Sequence, residues 1–210
     1  MARAFSTITY TPSVRRAQER FGTRRANAGF DDDPEARKFI TPRDADFIDQ
    51  VETFFMASVG ETGWPYVQHR GGPRGFLKVI DAATLAFADF RGNGQYVSTG
   101  NLDNDGRTML ILMDFARRIR LKIWGHAKMV DAKDDAELLA KVKMDGYRAR
   151  VERVCVITVE ALDFNCPQHI VQRFSQDELV LMARDPDTRA ALFHLLEMPP
   201  PAEAPQAKTT

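Results

Sequence analysis

The sequence predicts a mainly β protein of the α+β class, an antiparallel barrel with flanking helices. Two observations carry this. About seven apolar runs of strand character are joined mostly by short turns rather than by alternating helices, which favours antiparallel pairing over βαβ units. The chain also has 210 residues, 44% of them hydrophobic and 14 of them Phe. That is enough apolar surface for one real core and suits one domain with short extensions.

Each element follows from local pattern. Residues 1–40 read as a helical extension. Thr11 is an N-cap, Pro12 stands at the first helical position, Val14, Ala17 and Phe21 keep helical spacing, and Gly22 stops the helix. Arg15, Arg16, Arg20, Arg24 and Arg25 cluster here, before Asp31-Asp32-Asp33. They form either an arm that docks on an anion or a solvated helix face. Thr41-Pro42 opens a second helix, along which Phe47, Val51 and Phe54 form an apolar stripe.

The period then changes to that of strands. Residues 55–59, 64–70, 75–80 and 85–89 read as four strands separated by turns. Residues 94–103 are a helix weakened by Gly100. Residues 108–114 and 120–130 read as longer strands, 134–145 as an amphipathic helix, and 151–162 as a buried strand. The barrel domain spans 41–175, helices follow over 176–197, and the Pro- and Ala-rich residues 198–210 read as a disordered tail.

Composition excludes several classes. Lys plus Arg equals Asp plus Glu at 29 each, so the global basic excess of a nucleic-acid binder is missing. No apolar run nears the roughly 20 residues that span a bilayer, and no signal-peptide core opens the chain. The expectation is a soluble, cytoplasmic protein. Cys155 and Cys166, in no CxxC pair, read as free thiols.

Three stretches are candidates for chemistry. In Trp64 to Pro73, glycines permit close backbone approach, and Gln68, His69 and Arg70 offer donors in a row. The same residues also suit a plain strand ending in a Gly-Gly-Pro turn. In Phe87 to Tyr96 a strand runs into a Gly-flanked turn and a helix start, whose free N–H groups favour a phosphate. Arg91, Asn93 and Gln95 add charge and side-chain donors there, although an ordinary strand-to-helix turn reads the same way. Asn165-Cys166-Pro167-Gln168-His169-Ile170 gathers polar groups after a strand, but one Cys and one His make no metal pattern. No Gly-x-Ser-x-Gly elbow or paired-carboxylate motif is present, and no catalytic residue is assigned. Donors and glycines without an acid–base cluster suit a cofactor that carries the chemistry.

At these residues the chain resembles the pyridoxamine 5'-phosphate oxidase-like superfamily, in the branch with a Gly-Trp-Pro-Tyr-Val-Gln-His-Arg-Gly-Gly-Pro run, here residues 63–73. Phe76-Leu77-Lys78, the 87–95 stretch with Asn101-Leu102, and the 165–170 stretch support the resemblance, which covers roughly residues 40 to 175. It implies an FMN-binding split β-barrel homodimer with FMN between the subunits. Gln68, His69 and Arg70 would lie along the flavin and Lys78 near its phosphate or ring edge. Arg91, Asn93 and Gln95 would hold the phosphate, and Asn165, Gln168 and His169 would complete the site, from the partner chain. The Arg-Leu-His-Asp-Arg-like segment that ends authentic pyridoxamine 5'-phosphate oxidases is missing, so the resemblance does not extend to vitamin B6 oxidation. The expected function is an FMN-dependent oxidoreductase taking electrons from a small-molecule substrate or a reduced nicotinamide donor. The alternatives are a deazaflavin enzyme and a non-catalytic flavin- or haem-binding module.

Overall fold

The computed structural model of the chain describes residues 4–31, 36–165 and 168–197. Asp32, Asp33, Cys166 and the tail over 198–210 lie outside the described residues. The chain divides into two units, Met1–Ile170 and Val171–Thr210.

The first unit is built on seven strands: β1 (Thr53–Val59), β2 (Pro65–Gly71), β3 (Leu77–Asp81), β4 (Thr84–Phe90), β5 (Arg107–Asp114), β6 (Ile119–Asp131) and β7 (Val151–Asn165). All pairings are antiparallel, in the order β2-β1-β5-β6-β7-β4-β3. The core shows how strongly this sheet curls. Phe54 of β1 stacks on Phe76 at 5.4 Å and meets Phe87 of β4 edge-on at 5.3 Å. β1 and β4 are four places apart in the order, so in a flat sheet these rings would stand about 19 Å apart. The sheet therefore wraps round one apolar core, with Leu110, Ile123, Ile157 and Leu77 pointing into it. Among the described residues the end strands β2 and β3 do not pair with each other, which leaves the barrel split as the sequence predicts.

β6 and β7 are long enough to serve both halves of this barrel, and they bend at a register shift between Trp124 and Gly125. A Cβ on Gly125 would lie 2.2 Å from the Thr158 carbonyl oxygen, so only glycine fits this bend. β4 is buried on both faces. Leu85 and Phe87 enter the main core, while Ala86 and Ala88 join Val142 and Val154 beneath helix α6 (Ala136–Val142).

The extension contains α1 (Phe5–Thr9), α2 (Pro12–Arg20) and α3 (Arg24–Ala28). Only α2 is legible in the sequence. α1 is five residues long and held by tertiary contact, with Phe5 stacked on Trp124 at 5.7 Å. α2 buries no residue, and Phe21 at its end is exposed. Arg15 and Arg24 both bind Asp31. In α4 (Pro42–Gln50), Thr41 and Asp44 form a capping box. α4 stops at Gln50, where the sequence reading carries its stripe on to Phe54. Val51 is extended and Phe54 belongs to β1, because pairing with β2 and β5 overrides the helical spacing.

The second unit holds α7 (Gln176–Met182), with a Ser175–Glu178 capping box, and α8 (Pro186–Glu197).

Candidate functional site

Strand alternation decides which sequence candidates meet. On β2, Tyr66, Gln68 and Arg70 point to one face and Val67 and His69 to the other. The first three form one wall of a cleft of about 190 Å³. The opposite wall is the turn after β4, from Gly92 to Tyr96, and the first turn of α5 (Val97–Asn104), where Val97, Ser98 and Thr99 reach the cleft. Asp89, Phe90 and Arg153 form the remainder.

The turn has a defined shape. Gly94 takes φ +77°, and the Asn93 side-chain oxygen accepts from the Gln95 N–H at 3.1 Å. Tyr96, the N-cap of α5, also has positive φ, at 50°, and makes no side-chain cap bond. The first turn of α5 carries no acidic residue, so its dipole faces the cleft unopposed. Asn101 donates to the Ser58 hydroxyl at 3.0 Å and Leu102 is buried, which fixes the helix against β1.

Asp89 organises the charge. It is buried, and Arg153 stands opposite it in the β4–β7 register. One carboxylate oxygen accepts from Arg70 at 2.7 Å, and the other accepts from Arg153 Nε and a terminal nitrogen at 3.0 and 2.7 Å. Burial works against the Arg153 charge, but bonding to Asp89 and the negative field of Asp89 and Glu152 outweigh it and raise its pKa. The Arg153 guanidinium lies 4.7 Å from the Tyr96 ring centroid. Arg70 is left incomplete, because its Nε is buried and has no hydrogen-bond partner among the described residues.

The structure thus brings Gln68, Arg70, Asn93 and Gln95 together. The other candidates stand elsewhere. His69 is on the outer face of β2, bonded to the Thr53 hydroxyl and edge-on to Phe55. Arg91 does not line the cleft; its side chain is 62% exposed, with Nε 3.8 Å from Glu152. Lys78 lines a separate groove between α4 and β3, with Asp46 and Asp49. Gln168 and His169 are exposed outside the cleft, and the side chain of Asn165 lies outside the described residues. Sequence reasoning missed Asp89, Tyr96 and Arg153. The available signal was a charge, Asp89, inside the otherwise apolar run of β4, which strand pairing sets against Arg153 of β7.

Among the described residues no group of three or more His, Cys, Asp or Glu is placed to hold a metal, and no helix is long and apolar enough to cross a membrane. Residues 40–166 match the family described as pyridoxamine 5'-phosphate oxidase. Similar solved structures include Group A Streptococcus HupZ, at 19% identity over 64% of this chain and 99% of that one, TM-score 0.47. A Clostridium acetobutylicum protein of the pyridoxinephosphate oxidase family, related to general stress protein 26 of B. subtilis, is 14% identical over 64% and 92%, TM-score 0.42. An FMN-binding protein of Syntrophomonas wolfei is 12% identical over 73% and 95%, TM-score 0.41. Comparison with curated proteins gives no match.

Proposed function

Because the chain belongs to the pyridoxamine 5'-phosphate oxidase family, we propose that it binds FMN in the cleft between β2 and α5 and acts as an FMN-dependent oxidoreductase. The observation that carries this is the pairing of two unlike walls. One presents amide and guanidinium donors from Gln68 and Arg70, including the orphaned Arg70 Nε. The other presents a glycine turn and an uncapped helix start. A flavin asks for these two things, donors for its ring carbonyls and nitrogens and a cradle for its phosphate.

The residues fit the cofactor. Gln68 and Arg70 would hold the ring edge, while Asn93, Gln95 and the first N–H groups of α5 would hold the phosphate, with Arg91 supplying long-range charge. FMN, once bound, supplies hydride acceptance at its ring. The protein's part is to orient that ring and hydrogen-bond its edge. Among the described residues no histidine, cysteine or lysine lines the cleft, and its one carboxylate, Asp89, is bound to two arginines. No proton carrier is therefore assigned.

A homodimer completes the reading. A cleft of about 190 Å³ is smaller than the 300–1,000 Å³ typical of small-molecule sites, and a partner surface over it would enlarge the enclosure. The outer face of β1, β2 and β5 offers one. Phe55 and Val67 are 40% and 59% exposed there, beside Ala57, Met109 and Ile111. The partner copy would bring Asn165, Gln168 and His169.

The visible spectrum of purified protein tests the proposal, with the released chromophore identified by mass. FMN that bleaches on adding a reduced nicotinamide donor supports the enzyme. FMN that stays oxidised with every donor supports a non-catalytic flavin module, the reading that the missing Arg-Leu-His-Asp-Arg-like substrate segment keeps open. A deazaflavin mass or a Soret band overturns the FMN assignment.

A further inference from the structure

Glu152 does not line the cleft, yet its carboxylate gathers the groups that shape it. One oxygen accepts from the Tyr96 hydroxyl at 3.2 Å and from Arg153 at 3.2 Å, and the other lies 3.8 Å from Arg91 Nε. Its side chain is 17% exposed. Tyr96 holds a left-handed φ of 50° at the N-cap of α5. A residue with a Cβ keeps that conformation only where its surroundings over-determine it. The surroundings here are the Arg153 guanidinium over its ring and Glu152 at its hydroxyl. At the other end of the turn, the Arg91 N–H donates to the Arg150 carbonyl at 2.9 Å. The whole turn from Arg91 to Tyr96 is therefore tied to the start of β7.

We propose that Glu152 is a positioning residue for phosphate. It clasps Tyr96 and Arg91 so that the start of α5 stays turned to the cleft, and it thereby sets the preference for phosphorylated over unphosphorylated flavin. The inference rests on the FMN reading and deepens it. Two cations beside Glu152, Arg153 and Arg91, offset part of its charge and limit its repulsion of the anion.

Geometry and simple charge predict opposite signs, which makes the test sharp. Glu152→Ala removes a negative charge near the cleft, so electrostatics alone would tighten FMN. Loss of the clasp instead weakens FMN by about tenfold, the worth of one good hydrogen bond, and leaves riboflavin within about twofold. Glu152→Gln keeps an acceptor for Tyr96 and should rescue most of the loss. Tyr96→Gly relieves the left-handed strain but removes ring and hydroxyl, and it should weaken FMN as Glu152→Ala does. The assay is fluorescence titration of wild type and each variant with FMN and with riboflavin. Unchanged or tighter FMN binding by Glu152→Ala overturns the proposal, as does an equal loss for both flavins or a Tyr96→Gly variant that binds FMN like wild type. Wild-type protein that binds neither flavin overturns the FMN reading and this inference with it. Wild-type binding with an indifferent Glu152→Ala overturns this inference alone.

Discussion

Replacing Arg70 with lysine isolates one hydrogen bond. The arginine side chain is 18% exposed, one terminal nitrogen is committed to Asp89 at 2.7 Å, and the buried Nε has no partner among the described residues. Lysine keeps a positive charge for Asp89 but has no second, rigidly placed donor to offer the cleft. A hydrogen bond from a charged donor contributes about 1.5–3 kcal/mol, so Arg70→Lys should weaken flavin binding by roughly 10- to 150-fold. In the proposed FMN reading Arg70 serves the ring rather than the phosphate, so FMN and riboflavin should lose affinity alike. Arg91 gives the contrast. Its side chain is 62% exposed and its one ion pair among the described residues is 3.8 Å long, so solvent screens it. Such surface charges contribute about 0.2–1 kcal/mol, and Arg91→Ala should cost at most about fivefold, for FMN only. Fluorescence titration of both variants with both flavins measures the four values, and melting temperatures check the fold. Arg70→Lys that binds both flavins like wild type would refute the donor assignment. A loss confined to FMN would move Arg70 to the phosphate, and a larger effect at Arg91 than at Arg70 would reverse the roles.

Asp44 is buried and binds both terminal nitrogens of Arg37 at 2.8 and 3.0 Å as well as the Thr41 cap. Burial pushes its pKa up, but the bonds to Arg37 and Thr41 outweigh this and lower it. Its stabilising effect is then complete above about pH 5 and is lost as pH falls below about 4, through the depressed folded value. Asp44→Asn should cost about 3–5 kcal/mol at neutral pH and flatten the acid limb of stability, read by denaturant unfolding across pH. Burial, with the Asp89 charge adding to it and Arg70 opposing, pushes the Cys155 thiol up to about 12. Cys155 should therefore resist alkylation at pH 8 in the native protein and react once unfolded, as peptide mass spectrometry would report. Val67→Glu puts a charge on the apolar outer face of β2 and should yield a monomer with weakened FMN binding. Light scattering with flavin titration decides this, and an intact flavin-loaded dimer would exclude that face from the interface.

The sequence by itself determined the strand count, the antiparallel barrel, most element positions and the family, because period-2 apolar runs, glycine turns and an unbroken eleven-residue motif are local features. It also marked the two stretches that form the cleft. Tertiary structure decided which of their side chains meet. His69 lies between Gln68 and Arg70 in sequence, yet the pleat turns it to the opposite face, where Thr53 holds it. Lys78 shares a strand ladder with Ala86 but faces a groove against α4. Asp89 and Arg153 are 64 residues apart in the chain and become partners only through the β4–β7 register. α1 exists because Phe5 finds Trp124. Local pattern specifies which backbone conformation is cheapest; which charges face one another is fixed only when the sheet closes and the cost of burying Asp89 has to be met by two arginines brought from other strands.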